Sequence, residues 1–275
     1  MLKITVLSEN TASGPGILGE HGLAYWIEYN GRRLLFDTGQ GLCLMSNARC
    51  LGIAVPQAEA VALSHGHYDH TSGLKLLFPL LQRPRIFLHP AAFAAKYSRQ
   101  KGGTLRNIGM PLSEKDLRQN GATLLASAHP AEIFPGARLT GEIPRETSFE
   151  DAGGSFFLDP QCTTPDPLAD DQALLVETAE GLVVLLGCGH AGVINTLHHA
   201  GRLAPGRPIL AVIGGMHLGA ASADRLEQTI RAFKALRVRQ VMPGHCTGMA
   251  ASCALMQAFG PDCRPLAAGA VISFR

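Results

Sequence analysis

The sequence predicts a mixed α/β chain, strand-rich at the front and alternating strand with helix at the back. Three observations carry that expectation. Short runs such as "AVALS" (60–64) are almost wholly apolar, as strands buried on both faces are. Asn30-Gly31 joins two longer runs within "LAYWIEYNGRRLLFDTG", and Asn-Gly is the strongest short hairpin signal. Toward the C-terminal end, Leu226, Ile230, Phe233 and Leu236 recur at helical spacing.

The elements then follow in order. "KITVLSEN" alternates as a strand, the Asn30-Gly31 hairpin comes next, and "AVALS" ends at a polar loop. "GLKLLFPLL" opens a helix that stops near Pro79, and "PRIFLHP" is the next strand. From about 95 to 170 the pattern weakens into Gly-, Pro- and polar-rich stretches with short pieces such as "ATLLAS", which reads as a lid-like insertion. "QALLVETAEGLVVLLGCGH" is a hairpin turning at Glu180-Gly181. "GVINTLHHAGRL" is a helix, "PILAVIGGMHL" a strand, "DRLEQTIRAFKAL" a helix, and "RQVMPGHCTG" a short strand and loop. No repeat or internal boundary divides the chain, so residues 1–275 are expected to form one domain.

Composition removes several classes of function. With 46% apolar and 17% charged residues the chain is globular, and a net charge of +2 is too small to imply a nucleic-acid-binding surface, although it leaves room for a local basic patch. No apolar run is long enough to span a membrane, and "MLKITVLSEN" lacks a signal-like apolar region. Seven dispersed cysteines without a C-x-x-C pair read as reduced thiols, so a cytoplasmic protein with a small-molecule substrate is expected.

The chemistry is concentrated in "LSHGHYDHTSG" (63–73), where His65, His67, Asp69 and His70 fall within six residues just after the apolar run. Residues two apart on an extended segment point the same way, so His65 and His67 can reach one ion. Gly66 lets the backbone bend close to it, and a helix starting soon afterwards would aim Asp69 and His70 back toward the same place. Imidazole nitrogen and carboxylate oxygen are ligands that zinc prefers. Four such groups on one loop exceed the needs of one ion with an open position, which suggests two ions side by side. His190, His217 and His245 each follow a short apolar run beside glycines, and strand ends of one sheet share an edge. His21, just before a strand, could line the site. His89, His129, His198 and His199 read as surface or core residues.

Together these residues resemble the metallo-β-lactamase superfamily, whose signature is H-x-H-x-D-H after a strand. "LLFDTG" (34–39) is similar to its strand ending in Asp-x-Gly. "GEHGLAYWIE", "TGEIPRETSFE", "DDQALLVET", "GCGHAGVINTL", "IGGMHL" and "PGHCTG" resemble the subgroup similar to 7,8-dihydropterin-6-yl-methyl-4-(β-D-ribofuranosyl)aminobenzene 5′-phosphate synthase, and these blocks cover most of the chain. The resemblance implies a four-layer αββα sandwich with metals along one edge. It puts His65, His67 and His190 on one ion and Asp69, His70 and His245 on the other, with Asp37 just behind them. Where many superfamily hydrolases carry a bridging Asp, this chain is closest to Cys188, which either ligates a metal or is simply buried while His190 supplies the ligand. The histidine usual before that hairpin is missing, and Asp170 or Asp171 stands nearby.

Two divalent ions, zinc before manganese, iron or magnesium, can lower the pKa of a bound water and clamp the oxygens of a displacement. That chemistry suits a hydrolase attacking phosphoesters or a transferase releasing pyrophosphate, on a small phosphorylated or pterin-like substrate. Asp69 and His217 are expected to act in catalysis. Arg145, His21 and Arg106 are expected at the substrate, with Arg99 and Lys101 in the same basic stretch, because Arg suits bidentate phosphate binding. A di-iron redox protein of this fold would typically carry a carboxylate where His67 stands, and a non-catalytic binding protein would have lost ligands.

Overall fold

The computed structural model describes residues 1–99 and 103–275, so Lys101 lies outside the described residues. The first half of the chain runs β1 (Leu2–Ser8), β2 (Ala24–Tyr29), β3 (Arg32–Phe36), α1 (Leu44–Cys50), β4 (Ala60–Ala62), α2 (Tyr68–Thr71), α3 (Leu74–Leu77), β5 (Arg85–Leu88), β6 (Tyr97–Arg99), β7 (Leu105–Asn107), α4 (Glu114–Gln119) and β8 (Thr123–Ala126). The second half runs β9 (Ala131–Phe134), β10 (Ala137–Leu139), β11 (Phe156–Phe157), β12 (Leu174–Thr178), β13 (Gly181–Leu186), α5 (Val193–Leu203), β14 (Ile209–Gly215), α6 (Ala223–Ala235), β15 (Gln240–Gly244), α7 (Met249–Phe259) and β16 (Val271–Phe274).

Two sheets face each other. One has the order β16-β1-β2-β3-β4-β5-β8, the other β15-β14-β13-β12-β10-β9. Strand alternation explains the layering, because neighbouring side chains leave a strand on opposite faces. Tyr25 and Ile27 on β2 meet Val183 and Leu185 on β13 in the central core. Ala24 and Trp26 turn the other way, onto Leu44 and Ala48 of α1 and Leu74 and Leu77 of α3. Val184 and Leu186 pack outward against Val193 and Leu197 of α5, Phe233 of α6 and Leu255 of α7. The result is the αββα sandwich. Its strands are apolar on both faces, which is why the sequence runs read as nearly continuous.

The helix expected from Gly73 to near Pro79 is the single turn α3, and α1, α4, α7 and β16 carry no signal strong enough to be read beforehand. The span 95–170 is also divided more finely than one insertion. β8 forms an edge of the first sheet and β9 and β10 extend the second, while β6, β7 and β11 stand apart as a third sheet of order β11-β6-β7. β3 runs parallel to β4, and β13, β14 and β15 run parallel to one another, so each set ends on one edge of its sheet. The histidines of the candidate site lie just beyond those ends.

Candidate metal centre

His65 and His67 follow β4, Cys188 and His190 follow β13, His217 follows β14, and His245 and Cys246 follow β15. Asp69 and His70 lie in the single turn α2, whose start is held by the Tyr68 amide donating to the Ile108 carbonyl at 2.9 Å. Gly66 has a different role from the one expected. A Cβ there would sit 2.1 Å from the carbonyl oxygen of Ala92, so the glycine admits a neighbouring backbone instead of an ion. Asp37, His217 and His245 all occupy left-handed backbone, at φ of 57°, 47° and 50°. Non-glycine residues rarely do so, and such positions concentrate at functional sites.

The donor atoms converge in two adjacent groups. His67 Nδ1 lies 2.9 Å from His65 Nε2 and 3.3 Å from His190 Nε2. His245 Nε2 lies 3.2 Å from His70 Nε2 and 3.3 Å from Asp69 Oδ2, and the latter two atoms are 3.8 Å apart. The five histidines and Asp69 are all buried.

Four of the five rings are oriented from behind. His70 Nδ1 is 2.7 Å from Asp37 Oδ2, His190 Nδ1 is 3.1 Å from the Ala152 carbonyl, and His245 Nδ1 is 2.8 Å from Asn10 Oδ1. These partners only accept, so the three Nδ1 atoms carry the proton and the Nε2 atoms face inward as lone pairs. His65 Nδ1 lies 2.9 Å from Ser64 Oγ, which itself donates to Asp37 Oδ2 at 2.7 Å. Asp37 thus fixes two rings, one directly and one through Ser64. His67 Nε2 is buried without a partner, which leaves Nδ1 as its nitrogen in the cluster.

Lone pairs facing one another at about 3 Å repel unless a cation or a proton stands between them. In the metal-free protein a proton does so at His70. Burial opposes its charge, but the Asp37 and Asp69 carboxylates outweigh burial and push the ring up to about 9. Burial and the neighbouring rings push His65 and His190 well below the usual histidine range, and burial pushes His67 down to about 3. Burial would raise Asp69, yet the histidines around it hold its carboxyl well below the usual range. Five imidazoles and a carboxylate held this way fit a divalent ion of zinc type.

The third sheet roofs the cluster. Phe156 pairs with Ser98 and Ser98 with Arg106, so the three form one row across its strands, and all line a cleft of about 190 Å³ above the histidines. An isolated bridge between His67 and Gly109 ties this sheet to the metal loop. The Arg106 guanidinium lies 4.6 Å from the centre of the Tyr68 ring, and its Nη2 donates to Tyr68 Oη at 2.8 Å. His21 also lines the cleft, 3.2 Å from Asp69 Oδ2, and the hydrogen bond to Asp69 raises it above the usual histidine value.

Other expected residues take different places. Arg145 is a correction: Nη1 donates to the His190 carbonyl at 2.9 Å and Nη2 to the Pro167 carbonyl at 2.7 Å, so it supports the His190 loop from outside the cleft. Arg99 lies over the Phe157 ring and donates to the Gln161 carbonyl, and is not among the lining residues. Asp171 accepts from the Ala191 amide at 2.7 Å, and burial pushes its carboxyl up to about 7. Cys188 is buried, with Sγ 3.3 Å from His70 Nε2. The His217 ring is centred 4.2 Å from that of His190 at the cleft wall. Residues the sequence did not single out complete the site: Asn10 and Ser64 orient rings, Tyr68 and Phe156 line the cleft, and Cys246 lies beside Cys188.

Fold and site together define a metallo-β-lactamase-type sandwich with a candidate metal centre at one sheet edge. Residues 18–200 match the Metallo-beta-lactamase superfamily, and the chain belongs to that superfamily. It is similar to the 7,8-dihydropterin-6-methyl-4-(beta-D-ribofuranosyl)-aminobenzene-5'-phosphate synthase of Methanocaldococcus jannaschii, with 31% identity over 99% of this chain and 97% of that one. It also resembles the solved structure of Tm1679, a metal-dependent hydrolase of the beta-lactamase superfamily, at a TM-score of 0.85 and 31% identity over 100% of this chain and 99% of that one. Zn(2+)-bound PqqB from Methylobacterium extorquens shares the fold at a TM-score of 0.60 and 12% identity, covering 99% of this chain and 100% of that one.

Proposed function

We propose that this chain is a binuclear metal-dependent enzyme, a hydrolase or a transferase releasing pyrophosphate, acting on a small phosphorylated or pterin-like substrate. The observation that carries the proposal is the facing set of inward lone pairs. His65, His67 and His190 would hold one ion, and Asp69, His70 and His245 the other. Zinc is the ion expected, and two such ions when bound would act as Lewis acids toward phosphate oxygens.

The chain's own residues then do the rest. Arg106 offers its guanidinium to an anionic group at the cleft mouth, and its contact with Tyr68 fixes the direction of that offer. Phe156 and Tyr68 supply aromatic faces against which a flat ring such as a pterin can stack. His21, held to Asp69 and raised by it, is placed to hand a proton to a leaving oxygen. The similarity to a synthase whose named product joins a dihydropterin to an aminobenzene ribotide makes that pair of precursors the first substrates to try. The charge of +2 and the small cleft favour a small molecule over a nucleic acid or a membrane surface as partner. Among the described residues no helix is long and apolar enough to cross a membrane.

The test is an assay of metal-reconstituted protein with a dihydropterin diphosphate, with and without the aminobenzene ribotide, beside a panel of phosphoesters. Pyrophosphate release that needs both precursors means transfer, and turnover with water alone means hydrolysis. No turnover of any of these by fully loaded protein contradicts the proposal.

A further inference from the structure

Cys246 follows His245 directly, and neighbours in an extended chain send their side chains to opposite sides. The left-handed backbone of His245, at φ 50°, breaks that alternation. As a result His245 Nε2 and Cys246 Sγ turn to the same region. Together with Cys188 Sγ their donor atoms all lie within 4.8 Å of one another. Donors around one tetrahedral zinc stand on the order of 3.5–4 Å apart, given bonds of about 2.0–2.3 Å. The fold also leaves room for the sulfur. A Cβ on Gly215 would meet Cys246 Sγ at 2.7 Å and the Cα of Cys188 at 3.1 Å, so the bare glycine backbone forms a cradle for the thiol. Gly215 is itself a β14 residue paired with Gly244, the residue before His245, so the cradle is built into the sheet.

We infer that Cys246 is a metal-ligating thiol, and that with Cys188 it gives the centre a sulfur face beside the ion assigned to Asp69, His70 and His245. This inference rests on the binuclear reading above. Coordination replaces each S–H by an S–metal bond and releases the proton to solvent. A sulfur face favours zinc, cadmium or cobalt over magnesium and manganese, which prefer oxygen. Without a metal, Cys246 Sγ would rest on weak sulfur hydrogen bonds, one of them to the Cys188 carbonyl at 3.3 Å and another to His217.

The experiment is titration of metal-free, reduced protein with cobalt(II), followed by absorption, in the wild type, Cys246→Ser and Cys188→Ser. The expected result is cobalt uptake with a near-ultraviolet sulfur-to-cobalt charge-transfer band, which falls by about half in each variant as one of two thiolates is removed. Alkylation of the wild type by iodoacetamide, mapped by mass spectrometry, gives a second readout that needs no variant to fold. Cys246 should be protected on the order of tenfold by bound cobalt, while the exposed Cys50 and Cys253 react equally with and without it. Cobalt uptake with a band unchanged in Cys246→Ser, or without a sulfur band, or with Cys246 alkylated at the same rate, overturns this inference and leaves the binuclear reading standing. No cobalt uptake at all overturns both.

Discussion

The floor and the roof of the cleft are built on opposite terms. On the floor, five buried histidines and Asp69 stand at the ends of core strands and on α2, and every ring but that of His67 is held from behind. On the roof, β6, β7 and β11 form a small separate sheet whose side chains are half-buried or exposed, and among the described residues Arg106 is held only by Tyr68. A rigid floor fixes what chemistry is available. A lightly held roof fixes what is admitted to it.

That contrast is broken most severely on the floor. His67→Ala removes a donor shared by both neighbours in its group, and metal content and activity should fall together, with kcat/KM down by more than about a hundredfold. Retained activity in a folded His67→Ala protein would end the floor's assigned role.

The link between floor and roof comes next. Lys96, at the entry to β6, is 1% exposed and donates to Asp170 at 2.8 Å and Asp166 at 2.9 Å, while Asp170 accepts from the Gly66 amide at 2.7 Å. Burial works against its charge, yet the two carboxylates raise it overall. Lys96→Met leaves both acids buried and unpaired, so unfolding in denaturant should show a loss of about 3–5 kcal/mol. A loss under about 1 kcal/mol would mean the link is dispensable.

A subtler effect is electrostatic. His70 is pushed up to about 9 in the metal-free protein, so its extra proton stabilises that form fully below the usual value of 6.5 and is lost as pH rises through about 9. Metal uptake near pH 7.5 must displace it, releasing about one proton per chain beyond those that ligating thiols give up, and affinity should rise with pH toward 9. Calorimetry in buffers of different ionisation enthalpy reads this directly, and identical heats in all of them would contradict it.

The roof should respond most mildly. Arg106→Ala is expected to raise KM by about tenfold to a hundredfold for an anionic substrate, the loss of one charged hydrogen bond, with metal content unchanged. Arg106→Lys should recover part of it, since the charge returns without the planar fork.

The same contrast explains what could be read in the sequence. Apolar strands and the turn at Asn30-Gly31 are local signals, so β1 to β5 and β12 to β15 with α5 and α6 were visible. The donors of "LSHGHYDHTSG" were visible because they are adjacent in the chain. Asn10 behind His245 and Ala152 behind His190 are separated from their partners by 235 and 38 residues, and no local pattern announces such pairs. Arg145 looked like a substrate ligand because composition shows a charge but not the carbonyls that engage it. Cys246 carried no signal of its own in the sequence, because it is the left-handed turn at His245 that brings both donors within reach of one another.

The most direct test of the floor is elemental analysis of protein purified without added metal or chelator, in the wild type, His190→Ala and His245→Ala. Two zinc-like divalent ions per chain in the wild type, and close to one in each variant, is the result expected of two adjacent groups that each depend on their imidazoles. One ion or none in the wild type, with no further uptake on titration, would contradict the binuclear centre and reduce "LSHGHYDHTSG" to a single-metal or structural loop.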